Sequence, residues 1–326
     1  MSLTEKTKRL LGKYGLKPIH HRGQNFLINE KILDKIIAAA DLKKEDVVLE
    51  VGPGLGFLTE QLAKKVKRVV AVELDKNLTE ILKEELKSYK NIEIVQGDIL
   101  KVNIENLPLI TSLERRGQGV VDGYKVVANL PYNITSNFLR KFLETENGPS
   151  EMILMVQKEV AKRIIEKPGQ MSLLSLSCQF YADCKIEFLV SKGNFLPSPK
   201  VDSAVIKLKL KNNPLCHSGL ARPAKAVDPE SLPILKQVQD DSGKQVQDNT
   251  AENLFKIAKI GFSSKRKKLI GNLNKGLKID REKLEKILER LGLSDNVRAQ
   301  ELSVQDWINL TMEIGREDFR DRTFAL

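Results

Sequence analysis

Four residues of this chain, Asn129-Leu130-Pro131-Tyr132, close an apolar run (Val126-Val127-Ala128) with a side-chain amide, a rigid turn and an aromatic ring in succession. That combination suits chemistry on the exocyclic amino group of a base. Such a nitrogen is conjugated with its ring, so its lone pair is a poor nucleophile until acceptors bind its hydrogens and draw it towards a tetrahedral shape. An Asn side-chain oxygen and a backbone carbonyl can supply those acceptors. Pro131 fixes its own φ and biases Leu130 towards an extended backbone, which holds nearby carbonyls outward. Tyr132 offers a face on which an extruded base can stack. The plainer reading is a strand that ends in a proline turn with a half-buried tyrosine, so the rest of the chain must decide.

Upstream lies a glycine-rich turn, Gly52-Pro53-Gly54-Leu55-Gly56. Gly52, Gly54 and Gly56 would let a ligand approach the backbone without side-chain interference. A dinucleotide site would show Gly-x-Gly-x-x-Gly and seat a pyrophosphate, whereas this shorter pattern, preceded by Glu50, suits a ligand lacking phosphates. Glu73 ends an apolar run 21 residues after Gly52, where a carboxylate can accept both hydroxyls of a ribose. Asp98 follows the next apolar run and can accept from an adenine amino group. Three such positions on successive strand ends point to one adenosyl ligand. S-adenosylmethionine fits, because its sulfonium needs no phosphate pocket and its methyl is already activated. The protein then has mainly to aim, and placement and electrostatics carry the acceleration. No His or Cys nucleophile is required. His20, His21 and His217 form no triad, and Cys178, Cys184 and Cys216 have neither metal-ligand nor disulfide-framework spacing, so reduced thiols and no metal are expected.

The elements that must position these residues are legible as alternating patterns. Asn29 caps an amphipathic helix over 29–40. Strands are expected at 47–51, 68–73, 92–95, 125–128 and 151–156, with helices at 58–66, 76–87, 134–143 and 158–165 between them. Two late strands, 186–190 and 203–210, make a hairpin at the sheet edge. This is an α/β chain with a doubly wound, mostly parallel sheet. After Leu210 the composition changes. Residues 212–250 carry four prolines, little periodicity and an echo of Lys236-Gln237-Val238-Gln239-Asp240 at 244–248, which reads as a disordered low-complexity insertion. Helices resume at 251–260, 264–273, 280–291 and 303–315. The expected organisation is a basic N-terminal arm (1–28), a catalytic domain (29–211), the insertion (212–250) and a small helical domain (251–326).

The net charge is +11, and it is concentrated at the two ends. Residues 1–29 carry six Lys/Arg against one acid, and residues 256–290 carry twelve against four, including Lys265-Arg266-Lys267-Lys268. Charge of this kind attracts phosphates regardless of sequence, so a polyanionic partner is expected. No secretory leader and no run of roughly 20 apolar residues is present, so a cytoplasmic protein is expected, with a monomer as the default.

Taken together these residues resemble the small-subunit (16S) rRNA adenine N6,N6-dimethyltransferases of the KsgA/RsmA type, within the Rossmann-like class I S-adenosylmethionine-dependent methyltransferases. The resemblance spans nearly the whole chain outside the insertion. Besides the two motifs above it includes Gly23-Gln24-Asn25-Phe26-Leu27, Gln157-Lys158-Glu159-Val160, Pro197-Ser198-Pro199-Lys200-Val201-Asp202-Ser203 and the segment from Phe262 to Lys268. It implies that Asn25 and Leu27 close over the methionine part of the cofactor, that Gly52 meets it through the backbone, that Glu73 holds the ribose and Asp98 the adenine, and that Asn129 lies beside the methyl. Asn129 and the Pro131 carbonyl would orient the target N6, with Tyr132 and Phe195 sandwiching the adenine. Lys265, Arg266, Lys267 and Lys268 would dock rRNA phosphates. The implied activity places two methyls on each of two adjacent adenines in the 3′-terminal hairpin loop of small-subunit rRNA, with a role in subunit biogenesis. One departure is the segment Gly169-Gln170-Met171-Ser172-Leu173, where many relatives carry a Tyr-Gly pair. Two competing readings are a resistance-type methyltransferase acting on large-subunit rRNA, and an assembly factor in which chemistry is secondary.

Overall fold

The computed structural model describes residues 1–16, 24–107, 123–145, 147–211 and 250–323. Gly23, both N-terminal histidines, and all but the last residue of the insertion expected at 212–250 lie outside them. The chain divides into two compact units, Met1–Lys162 with Ala182–Lys211, and Arg163–Tyr181 with Asn212–Leu326.

The first unit opens with helix α1 (Leu3–Lys13), a two-residue strand β1 (Phe26–Leu27) and α2 (Glu30–Ala39). Then β2 (Val47–Val51), α3 (Phe57–Ala63), β3 (Arg68–Glu73), α4 (Lys76–Glu85) and β4 (Ile92–Gln96) follow in alternation. The chain continues with β5 (Lys125–Asn129), α5 (Thr135–Glu144), β6 (Glu151–Gln157) and α6 (Lys158–Ile164). After α7 (Leu173–Tyr181), which belongs to the second unit, come β7 (Ala182–Val190), β8 (Phe195–Leu196) and β9 (Ser203–Leu210).

Seven strands form one sheet in the order β4-β3-β2-β5-β6-β9-β7. The first five are parallel, and β9 runs antiparallel to both β6 and β7. The late hairpin expected from the sequence is present, with β7 at the edge. Strand β2 is buried along its whole length, as a central parallel strand covered on both faces must be, which is why Val-Val-Leu-Glu-Val shows no alternation. Asn29 caps α2 as expected: its Oδ1 accepts from the amides of Lys31 and Ile32 at 2.9 and 3.4 Å, and Leu33 and Ile36 face the core. In α5 the rings of Phe138 and Phe142 stack at 4.3 Å, anchoring the helix that begins just after Tyr132.

The N-terminal arm is in part a helix. Ser2 and Glu5 form a reciprocal capping box on α1, Leu3, Thr7 and Leu10 are buried, and Lys13 Nζ and Tyr14 Oη donate to Glu85 of α4 at 2.7 and 2.8 Å. Charge dominates the composition of this segment and hides a helical stripe spaced at three and four residues.

The second unit holds α7 with α8 (Thr250–Gly261), α9 (Leu269–Leu277), α10 (Arg281–Arg290) and α11 (Val304–Thr323). Segment 163–181, expected in the catalytic domain, groups here because Phe180 and Tyr181 pack on Phe255 with ring centroids 5.5 and 5.8 Å apart. The departure at Gly169 is also in this unit, where the amides of Gly169 and Met171 both donate to the Gln300 carbonyl. Helix α9 starts at Leu269, later than the expected 264. Asn272 Nδ2 donates to the carbonyls of Gly261 and Ser264 at 2.6 and 3.2 Å, which holds residues 262–268 as a turn.

Candidate active site

The chain runs from β2 outward to β3 and β4, then returns to lay β5 on the other side of β2. At such a reversal the loops leaving two neighbouring strands diverge and open a crevice beyond their carboxyl ends. Here a cavity of about 210 Å³ lies in that crevice. The loop after β2, the ends of β3 and β4, the segment after β5 and the strand β1 all contribute to its wall.

Gly52 sits where the two diverging loops meet. Its φ is +65°, and a Cβ there would lie 3.6 Å from Pro131 Cδ and 3.9 Å from the Asn129 carbonyl oxygen. Gly54, at φ +61°, accepts the edge of the Phe26 ring, which would stand 3.1 Å from a Cβ. Both glycines line the cavity. Gly56, the third glycine expected to touch the ligand, is not part of the cavity lining. A Cβ there would meet Leu82 of α4 and Leu86, which caps that helix, at 2.8 and 3.1 Å, so glycine at this position serves the packing of α3 against α4.

Glu73 lines the cavity and is 6% exposed. Its Oε2 accepts from the Gly54 amide at 3.2 Å and its Oε1 from the Asp75 amide at 2.9 Å. The carboxylate therefore pins the glycine loop, and each oxygen keeps a further lone pair for a ligand. Burial raises its pKa above the ordinary value, opposed by those backbone amides. Asp98, one strand further out, also lines the cavity. Its Oδ1 accepts from the Leu100 amide at 3.0 Å, which fixes the carboxylate in a tight turn.

Asn129 ends β5. Its Nδ2 donates to the Asn25 carbonyl at 3.2 Å, so the amide is locked with Oδ1 as its acceptor end. Asn25 and Leu27 reach the wall because β1 pairs antiparallel with β8, Phe26 opposite Leu196 and Leu27 opposite Phe195. Leu130 is buried, and its amide donates to Met155 at 3.2 Å, extending the β5–β6 ladder. The Pro131 carbonyl, expected to face the target nitrogen, accepts from the Ile134 amide at 3.2 Å and closes the turn into α5. Tyr132 lines the cavity, and its hydroxyl lies 2.7 Å from Ser203 Oγ. Burial pushes its phenol pKa up.

Phe195 is placed differently from the expectation. It is 3% exposed, lies in the hydrophobic core and contributes nothing to the cavity wall. Its partner across the β1–β8 ribbon is Leu27, so its ring supports the wall from behind. Lys265, Arg266, Lys267 and Lys268 are all exposed, on the turn of the second unit that precedes α9.

One acid of the cavity had no role from sequence. Glu50, next to the last residue of the buried strand β2, is 1% exposed and lines the cavity. Its Oε2 has no hydrogen-bond partner among the described residues. Burial pushes the Glu50 carboxyl up to about 8; the nearby Thr59 hydroxyl opposes the shift and the charge of Glu73 adds to it. A carboxyl inside an apolar strand was the available signal, since a buried acid needs a partner. Glu50 and Glu73 lie near the carboxyl ends of adjacent strands, so the cavity disfavours a phosphate, and a cationic group bound there would favour their ionised forms. Among the described residues no cluster of His, Cys, Asp and Glu could hold a metal, and no helix is long and apolar enough to cross a membrane.

Comparison with known proteins adds a family. A family model described as ribosomal RNA adenine dimethylase matches residues 19–220. Ribosomal RNA small subunit methyltransferase A of Dehalococcoides mccartyi (strain CBDB1) is 40% identical over 312 residues, covering 96% of this chain and 94% of that protein. The protein of the same name from Alkaliphilus metalliredigens (strain QYMF) is 35% identical over 312 residues, covering 95% and 96%. Among solved structures, a dimethyladenosine transferase from Plasmodium falciparum superposes with a TM-score of 0.66 at 25% identity, covering 89% of this chain and 97% of that one. The 23S rRNA methyltransferase ErmE gives 0.61 at 22% identity over 89% and 100%, a likeness of fold.

Proposed function

The chain belongs to the ribosomal RNA adenine dimethylase family, and from that premise we propose that it transfers methyl groups from S-adenosylmethionine to N6 of two adjacent adenines in the 3′-terminal hairpin loop of small-subunit rRNA. It is an adenine-dimethylating methyltransferase of small-subunit rRNA. The observation that carries the mechanism is the bond from Asn129 Nδ2 to the Asn25 carbonyl, which leaves Oδ1 as the acceptor beside the cavity.

S-adenosylmethionine supplies an electrophilic methyl and a neutral thioether as leaving group. The residues present fit such a molecule: Gly52 and Gly54 leave backbone exposed, Glu73 and Asp98 offer carboxyl groups at successive strand ends, and Glu50 stands buried in the same lining. Asn129 Oδ1 accepts one N6 hydrogen. The second acceptor is the Leu130 carbonyl, which receives no hydrogen bond among the described residues, while that of Pro131 is engaged. Together they draw the nitrogen towards a tetrahedral shape, which loosens its lone pair from conjugation with the ring. Tyr132, steadied by Ser203, gives the flipped base its stacking face. With the thioether as leaving group, the methylated nitrogen would lose its proton to water. In this reading Asn25 and Leu27 cover the methionine end, and the cations at 265–268 hold phosphates with an affinity that falls with salt. The enzyme works as a monomer in the cytoplasm, where its substrate, free rRNA or a partly assembled small subunit, is found.

The test is to incubate the purified protein with labelled S-adenosylmethionine and undermethylated small and large subunits, and to map modified nucleosides by mass spectrometry. N6,N6-dimethyladenosine confined to a 3′-terminal small-subunit fragment is expected. Label in large-subunit rRNA, or binding without label, would overturn it.

A further inference from the structure

Asp98 occupies a turn that does not hold itself together from one side. The amides of Lys101 and Val102 both donate to the Asp98 carbonyl at 2.8 Å, and the Leu100 amide donates to its side chain. This leaves the carbonyls of Ile99, Leu100 and Val102 converging on a single point, like the frayed end of a helix. The ammonium of Lys141, from α5, fills that point. Its Nζ donates to Ile99 at 2.9 Å, to Leu100 at 3.1 Å and to Val102 at 2.5 Å. An ammonium has three donors, so the match is complete. Burial draws the Lys141 pKa down while the charge of Asp98 holds it up.

The partners also matter for what they connect. Ile99 is 4% exposed and lines the cavity beside Asp98. Helix α5 starts directly after the Asn129–Tyr132 segment. One side chain therefore fastens the turn that presents Asp98 to the helix that the target-side motif leads into. We propose that Lys141 is a positioning residue for cofactor selection: it fixes the turn that aims Asp98 at the adenine amino group, and so sets the preference for an adenine base over one that cannot donate there. This rests on the reading of Asp98 as the adenine acceptor. Lysine suits the task better than arginine, whose planar fork does not fit three carbonyls meeting at one point.

The test uses the full chain and two probes, S-adenosylhomocysteine and S-inosylhomocysteine, titrated by calorimetry. The inosine probe carries an oxo group where adenine has its amino donor. Lys141→Met, which keeps the apolar stem, is expected to weaken S-adenosylhomocysteine about tenfold and to leave S-inosylhomocysteine within about twofold. Combined with Asp98→Asn it should add nothing to the loss caused by Asp98→Asn alone, since both act through one carboxylate. Lys141→Gln, with two N–H donors, should restore part of the preference, and it serves in place of the methionine variant if that does not fold. Equal weakening of both probes, or additive losses in the double variant, would assign Lys141 a merely structural role and overturn the proposal. If Asp98→Asn itself leaves the adenosine preference intact, the underlying reading of Asp98 fails and the proposal falls with it. If Asp98→Asn removes the preference and Lys141→Met does not, the proposal alone fails.

Discussion

The two walls of the cavity are built from opposite materials. The wall at the ends of β2, β3 and β4 presents carboxyl groups, Glu50, Glu73 and Asp98, two of them buried and all fixed by neighbouring strands or turns. The wall at the end of β5 presents a neutral amide, a proline turn and a phenol, tied to Asn25 and Ser203. The contrast follows the charges each side must meet. A sulfonium with an ammonium is cationic and favours the ionised form of carboxyl groups beside it, whereas a base nitrogen starts neutral and needs only acceptors that shape its lone pair. Recognition and reactivity are therefore separable, and substitutions on each wall should separate them.

The largest expected effect is on the neutral wall. Asn129→Ala should lower kcat by roughly 10²–10³-fold, the range for removing one preorganised group around a reacting centre, with far less change in the dissociation constant for S-adenosylhomocysteine. Parallel losses in both would dissolve the division between the walls. On the acidic wall, Glu73→Gln should weaken the cofactor by about 10–100-fold, as expected for a hydrogen-bonding carboxylate, while kcat at saturation stays near wild type. Calorimetry with single-turnover assays reads both.

Glu50 tests the acidic wall without any ligand. Its folded carboxyl sits at about 8 against an ordinary 4.5, so the folded chain binds more protons than the unfolded chain between those values. Its contribution to stability is thus fully present below about 4.5 and is lost as pH rises towards about 8. Urea unfolding of the wild type should show stability falling across that window. Glu50→Gln should remove most of the slope and be the more stable protein at the alkaline end. The smallest effect belongs to the phenol: Tyr132→Phe keeps the ring and loses one hydrogen bond, for a decrease in kcat/KM of about 2- to 10-fold. Ser203→Ala should match it, and the double variant should be no worse, if the hydroxyl acts only through Ser203.

The acidic wall was largely legible in the sequence, because strand ends and glycines mark their own positions. Glu73 and Asp98 follow apolar runs of strand length, and the alternation of elements places them side by side. What escaped was set by pairing over long distances. Nothing local to Phe26-Leu27 or Phe195-Leu196 announces a two-residue ribbon, so Phe195 was expected against the adenine and is found as a core residue. Gly56 shares a motif with Gly52 and Gly54, yet its environment is decided by α4, whose leucines come about one turn of helix apart. The Pro131 carbonyl was named by the family resemblance, and the structure shows it accepting from the Ile134 amide in the turn into α5. In the second unit, helical periodicity ran through residues 264–268 without sensing that Asn272 would hold them as a turn.

The β1–β8 ribbon has a consequence for the chain as it is made. Its flanking residues Asn29 and Asn194 join side chains at 2.7 Å across 165 positions of sequence. During synthesis the early half waits on the order of ten seconds for its counterpart to be translated. A nascent chain that has released only its first five parallel strands already owns every carboxyl of the acidic wall, but the segment bearing Asn25 has no late strand to lie on. The binding crevice is thus latched by one of the last pieces of its unit to leave the ribosome, so a chain interrupted before Phe195 would carry the recognition groups without the closure that makes them a site.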